Sequence, residues 1–126
     1  MSLRRAGFFR ELRHGDPDGP SLWEAALPSP AADQDDIVRY LDGGDTVAAT
    51  GVLVDDVLDS SRTAVAPLEL ATDGAWVWPR DLAYYVRQYN VTLPEDFVSE
   101  MRRRAWQPPA LSDEDLMDVA ARVRAG

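Results

Sequence analysis

Carboxylates in two short segments are the side chains of this sequence that could most readily do chemistry. The groups are Asp33, Asp35 and Asp36, and Asp55, Asp56 and Asp59. Oxygen ligands of this kind can hold a divalent cation. The first group, however, also suits the positive end of a helix dipole, and the EF-hand-like DPDG segment lacks the later ligand positions of such a loop. We therefore expect no metal and no other cofactor.

The remaining groups needed for catalysis are isolated or missing from the sequence. His14 is the single histidine, and the chain has no cysteine. Nucleophilic triads and most zinc sites need a histidine supported by further groups, so we expect His14 to face solvent in a loop. The DGGD segment lacks the lysine and the hydroxyl residue of a phosphate-binding loop. The sequence thus predicts that the protein is not an enzyme.

Charge is distributed unevenly and indicates the kind of partner. Residues 1–14 hold four arginines against one glutamate, and residues 15–73 hold thirteen acids against two arginines. The middle of the chain therefore carries a net charge of −11 within a total of −9. An acidic surface repels phosphate backbones and attracts basic proteins, so we expect no nucleic acid and a basic protein partner.

Aromatic residues are concentrated in the segment DGAWVWPRDLAYYV, residues 73–86. Alternation predicts a strand over 75–78 with Trp76 and Trp78 on one face. Proline is tolerated at the first position of a helix, so the strand should run through Pro79 directly into a helix over 79–89. We expect Trp76, Trp78, Tyr85 and Tyr89 to pack around one corner. Most of this surface should be core, and the rest should contribute to a partner surface.

The chain resembles a family of small uncharacterised actinobacterial proteins. The resemblance covers roughly residues 35–105 and rests mainly on the pattern DG.WVWP..LAYYV, with IVRYLDGG before it. No activity is established for that family, so the resemblance implies no catalytic residues. Some proteins of this general build resemble immunity partners of secreted toxins, which implies binding and inhibition of another protein.

Hydrophobic periodicity predicts an α+β fold in one domain, residues 1–126. A small three-stranded antiparallel meander, at about 47–54, 64–71 and 75–78, should have helices before and after it. Residues 1–20 should form an N-terminal helix and a turn-rich link. Further helices are expected over 22–27, around Ile37 to Leu41, over 79–89, from Pro94 and over 112–125. The last of these, within 107–126, should be peripheral.

Three functional hypotheses follow from these patterns. The first is a non-catalytic, immunity-like protein that binds a basic partner through an acidic and aromatic surface. The second is a small-molecule binder or enzyme with a pocket near Trp76, Trp78 and Tyr85, and the third is a homo-oligomer joined by the final helix. With no apolar run long enough to span a membrane, we expect a cytoplasmic location. The expected partner-binding residues are Asp55, Asp56, Asp59, Asp73, Trp76, Trp78, Tyr84 and Tyr85.

Overall fold

The computed structural model of the protein describes residues 3–125. Within this range helices and strands alternate in groups, which confirms the α+β class. The elements, in chain order, are β1 (Arg4–Arg5), α1 (Leu22–Ala25), α2 (Gln34–Gly43), β2 (Asp45–Val54), β3 (Ala66–Thr72), β4 (Trp76–Pro79), α3 (Leu82–Tyr89), α4 (Glu95–Arg103) and α5 (Asp113–Ala125).

The strands form one mixed sheet in the order β1-β4-β3-β2. Strand β2 pairs antiparallel with β3, and β3 pairs antiparallel with β4, as predicted for the meander. The prediction of three strands is incomplete because β1 adds a fourth, parallel to β4. Helix α5 lies against β2 and buries Val119, while most of its other residues are exposed.

The predicted N-terminal helix is wrong. Arg4 donates its backbone N–H to the carbonyl of Ala75 at 2.9 Å, and Ala6 donates to that of Val77 at 3.1 Å. The chain then turns at Gly7, whose φ of +82° is unfavourable for other residues. A Cβ at this position would lie 2.7 Å from Leu82 Cδ2, so a glycine allows the arm to lie against α3. Pairing of the arm with the edge of the sheet is therefore more favourable than formation of a short helix, which would have few internal contacts.

The junction between β4 and α3 also differs from the prediction. Pro79 is the last residue of β4, where it pairs with Leu70, rather than the first residue of a helix. Arg80 extends the strand pairing by donating its N–H to the carbonyl of Glu69 at 2.8 Å. Helix α3 therefore begins only at Leu82. Proline fits here because the missing N–H is not needed at the end of a short strand.

The centre of the core is a group of four aromatic rings supplied by α2, β4 and α4. Phe97 stacks on Trp76 at 4.5 Å between ring centroids and lies 5.4 Å from the ring of Trp78. Tyr40 contacts both Phe97 and Trp78 at about 6 Å. The two tryptophans thus share one face, as predicted. Tyr85 instead contacts other tyrosines, so the prediction of a single aromatic corner is wrong.

Candidate interaction surface

Strands β2 and β3 project beyond the rest of the sheet as a two-stranded ribbon. Pairing of β3 with β4 covers only Leu70 to Thr72, whereas pairing with β2 continues as far as Val54 and Ala66. On this projecting part, Val52 and Leu53 leave 53% and 58% of their surfaces exposed. A ribbon without a third strand cannot enclose its apolar side chains, and these residues therefore remain available for contact.

The acidic loop, residues 55–62, follows β2 and folds around one buried carboxylate. Asp56 is 2% exposed, and its Oδ1 accepts the backbone N–H groups of Leu58 at 2.7 Å and Asp59 at 3.1 Å. The Asp56 N–H donates to the carbonyl of Arg62 at 3.0 Å, which closes the loop. An aspartate that accepts from the residues after it stabilises a tight turn. Asp56, the second acid of the loop, therefore holds the loop in an ordered conformation.

Three tyrosines of α3 attach this loop to the body of the protein. The Tyr84 and Tyr89 hydroxyls donate to Asp56 Oδ2 at 2.7 and 2.6 Å. The Tyr85 hydroxyl accepts the backbone N–H of Val57 at 3.0 Å. Positions 85 and 89 lie one turn apart, and their rings stack at 6.0 Å between centroids. Hydrogen bonds from neutral hydroxyls to a charged acceptor are stronger than those between neutral groups, so these bonds hold the acidic loop strongly against α3.

The environment raises the pKa of all four tyrosines of the chain. Burial is the main cause for Tyr40, Tyr84, Tyr85 and Tyr89. For Tyr84 and Tyr89, the hydrogen bond to the Asp56 carboxylate also raises the pKa. A phenolate beside this carboxylate would place two negative charges together, and the neutral phenol is favoured.

We expect an alkaline titration of the folded protein to show no tyrosine ionising near pH 10, the ordinary value. A pKa that is raised on folding means that the folded state binds more protons at alkaline pH. Stability is therefore unaffected below about pH 10 and falls above it. Phenolate absorbance near 295 nm should rise only together with loss of the far-ultraviolet helical signal. An absorbance rise near pH 10 with the helical signal intact would contradict the raised values.

Two further acids, Asp55 and Asp59, lie at the surface of the loop. Hydrogen bonds from Ser61, first from its hydroxyl and then from its N–H, hold the pKa of Asp59 below its ordinary value. Asp55 is exposed, and its Oδ1 accepts the N–H of Ala64 at 2.9 Å. Val57 lies between them and is 41% exposed. The loop thus continues the exposed apolar ribbon with charged carboxylates.

Asp73 belongs to a different, structural site. It is buried in the turn between β3 and β4, where its Oδ1 accepts the N–H groups of Ala75 and Trp76 at 2.9 and 2.7 Å. Its Oδ2 accepts the Tyr40 hydroxyl at 2.7 Å. Arg104 lies 3.9 Å from the same oxygen. Asp73 therefore holds a turn and a core tyrosine, and it is not available to a partner.

The structure divides the predicted site residues into two groups. Asp55, Asp56, Asp59, Tyr84 and Tyr85 do come together at the acidic loop, although Asp56 and Tyr85 are buried and act as anchors. The other three, Asp73, Trp76 and Trp78, lie enclosed in the core. Because Trp76, Trp78 and Tyr85 are all buried, none of them offers a partner an exposed ring, and nothing in the structure favours the pocket hypothesis built on these three.

Two features of the surface were not predicted. Tyr89 is predicted only as a core residue. Its position one turn after Tyr85 is a sequence signal that the two hydroxyls lie on the same face of the helix. The exposure of Val52, Leu53 and Val57 had no signal in the sequence, because it depends on how far β2 and β3 extend past β4. We define the acidic–apolar surface as Val52, Leu53, Asp55, Val57 and Asp59.

His14 does not face solvent as predicted. It is half-buried, and its Nε2 lies 3.2 Å from Oδ1 of the buried Asp81 at the start of α3. No third group completing a nucleophilic triad contacts this pair among the bonds of the described residues. The pair instead ties the N-terminal arm to α3.

Comparison with known protein families, curated proteins and solved structures finds no match to this chain. The resemblance to actinobacterial proteins therefore stays a prediction. Within residues 3–125, no three histidine or acidic side chains are grouped so as to hold a metal ion. Over the same range, no helix has both the length and the apolar character required to span a bilayer.

Proposed function

We propose that this protein is a non-catalytic, cytoplasmic binding protein whose acidic–apolar surface engages a basic protein partner. The observation that carries the proposal is the exposure of several apolar side chains in the same short segment as the carboxylates of an anchored loop. Val52, Leu53 and Val57 are exposed within six positions, and Asp55 lies among them. Exposed apolar groups rimmed by charge are typical of protein interfaces.

The apolar residues should supply most of the affinity. Full burial of a valine or leucine side chain contributes about 1.5–3 kcal/mol. Exposed charges are screened over about 8 Å at physiological salt, so Asp55, which makes no ion pair within residues 3–125, should mainly increase the association rate and select a basic partner. Anchoring of the loop by Asp56 supports the proposal further, because a loop that is already ordered loses little conformational entropy on binding.

Inhibition of a basic, nuclease-like toxin is one specific form of this function. The resemblance to immunity partners motivates it, together with the net charge of −11 over residues 15–73. An immunity protein is encoded beside the toxin that it neutralises. A gene for a secreted basic protein immediately preceding this one would support this form, and an unrelated neighbourhood would count against it.

The partner can be isolated on the immobilised protein, purified and titrated by calorimetry. We expect a basic protein whose affinity falls as salt is raised and falls about tenfold or more for Leu53→Ala. Leu27→Ala, which alters another exposed leucine, is the matched control and should leave the affinity unchanged.

Charge is tested in the same titration by Asp55→Lys. We expect slower association with this variant, whereas Asp42→Lys, the same charge change on the exposed end of α2, should have little effect. An acidic partner, an affinity independent of salt, or equal losses from Leu53→Ala and Leu27→Ala would contradict the proposal.

A further inference from the structure

A groove of about 680 Å³ lies on the opposite edge of the sheet from β2. We call it the β1 groove. One side is the N-terminal arm, another is the turn that contains two prolines, and the third is the segment before α4. It is lined by, among others, Arg5, Gly7, Phe8, Pro17, Pro20 and Leu93. None of these residues belongs to the acidic–apolar surface.

The backbone of β1 is open toward the outside of the sheet. Arg4 donates its N–H to the carbonyl of Ala75, immediately before β4, and Ala6 donates its N–H to the carbonyl of Val77 within β4. Peptide groups alternate in direction along a strand, so the N–H and C=O of Arg5 point away from β4. Because β1 is the outermost strand, these groups have no neighbouring strand among the described residues. An open edge of this kind can pair with an added extended chain.

The side chains of the groove combine apolar walls with the positive charge of Arg5, which has no ion-pair partner among the described residues. Arg5 is exposed and makes no ion pair within residues 3–125, while its guanidinium lies 5.5 Å from the centroid of the Phe8 ring. Arg4, by contrast, is paired with Asp96. Asp16 also lines the groove, where its Oδ1 accepts the N–H of Asp18 at 2.9 Å, and it makes no ion pair with Arg5. Arg5 thus remains available to a carboxylate of a ligand.

We propose that the β1 groove binds an extended acidic peptide as an added strand. The peptide backbone pairs with the outward peptide groups of Arg5, a peptide carboxylate meets the Arg5 guanidinium, and apolar side chains pack against Phe8 and the prolines. Side chains of a strand point alternately to its two faces, so the preferred peptide alternates acidic and apolar residues. The site is separate from the acidic–apolar surface and selects the opposite charge.

The proposal is tested with the full-length protein and a fluorescein-labelled octapeptide of alternating valine and glutamate. We expect its fluorescence anisotropy to rise on binding, and a valine–lysine octapeptide not to bind. Arg5→Glu should weaken binding by about tenfold or more, since it replaces the attraction by repulsion. Arg13→Glu makes the same charge change on an exposed residue of the arm outside the groove, and it should leave binding within about threefold.

Backbone pairing is tested with two further peptides. One is N-methylated at the amides of its valines, and the other at the amides of its glutamates. If the peptide shifted by one residue, valine instead of glutamate would lie opposite Arg5. The register of the peptide is therefore fixed, and only one set of alternate amides faces β1. We expect one of the two peptides to lose binding and the other to retain it. Equal binding of both, equal losses from Arg5→Glu and Arg13→Glu, or amide shifts in nuclear magnetic resonance that spare residues 5–8, 15–20 and 92–93 would overturn the proposal. Concentration-dependent self-association abolished by Arg5→Glu, without peptide binding, would assign the edge to a second copy instead.

Discussion

Replacement of Asp56 by alanine should lower the free energy of unfolding by about 3–4 kcal/mol, because it removes the acceptor for four hydrogen bonds at once. Both oxygens of this buried carboxylate are used, one by the N–H groups of Leu58 and Asp59 and the other by the hydroxyls of Tyr84 and Tyr89. A net hydrogen bond to a charged group contributes about 1.5–3 kcal/mol, and the losses are not additive since the loop relaxes. Chemical denaturation measures the change.

Asp55→Ala is the matched control for this variant. Asp55 is the neighbouring acid, but it is exposed and accepts a single hydrogen bond, from the N–H of Ala64. We expect a loss below about 1 kcal/mol. If the two variants were equally stable, Asp56 would not be the anchor of the loop. Asp56→Ala should also expose Val57 and Tyr89 further, and protection of the Leu58 amide from hydrogen exchange should fall.

Replacement of Trp78 by alanine should destabilise the protein by about 3–5 kcal/mol. The side chain has no exposed surface, and its Nε1 donates to the carbonyl of Leu41 at 3.2 Å. Its ring contacts Tyr40 and Phe97, which connect β4 to α2 and α4. Loss of the ring would leave a cavity at the meeting point of three elements. The change is measured as the shift of the denaturation midpoint at constant slope.

Trp23→Ala provides a control of the same residue type. Trp23 lies on α1 and is 63% exposed, so its removal should change stability by no more than about 0.5 kcal/mol. Trp78→Phe should fall between the two, because it keeps most of the apolar volume and loses the bond to Leu41. Equal effects at positions 23 and 78 would contradict the assignment of Trp78 to the core.

Local signals in the sequence predicted most of the fold. Helix α2 has Asp35 and Asp36 in its first turn and buries Ile37, Val38 and Leu41, as the pattern indicated. Ser21 caps α1 by accepting the N–H of Glu24. The β3–β4 hairpin turns at Asp73 and Gly74 as expected. These elements are determined by caps, turns and periodicity that lie within a few residues.

The errors occur where a distant segment decides the outcome. Apolar residues of the arm fit a helical stripe, but Arg4 and Ala6 find strand partners about 70 positions later in the chain, at Ala75 and Val77. The same limit applies to the surface. Acid clustering identified the loop, yet burial of Asp56 depends on Tyr84 and Tyr89, and only the tertiary structure shows which acids remain exposed.

The structure also places opposite charges at the two edges of the sheet. Arginines of the arm lie at the β1 edge, and the acidic loop follows β2 at the other. Binding of an acidic peptide at one edge and of a basic protein at the other would therefore not compete for the same residues. This separation allows each proposal to be tested by variants that leave the other surface unchanged.

The anchoring of the acidic loop to α3 is the central claim, and a double-mutant cycle between Asp56 and Tyr89 tests it most directly. The free energies of unfolding of Asp56→Asn, Tyr89→Phe and the double variant are compared with that of the wild type. Because the two side chains share a hydrogen bond of 2.6 Å, we predict a coupling free energy of about 1–2 kcal/mol. Additive effects within about 0.3 kcal/mol would show that the bond does not hold the loop and would contradict the account.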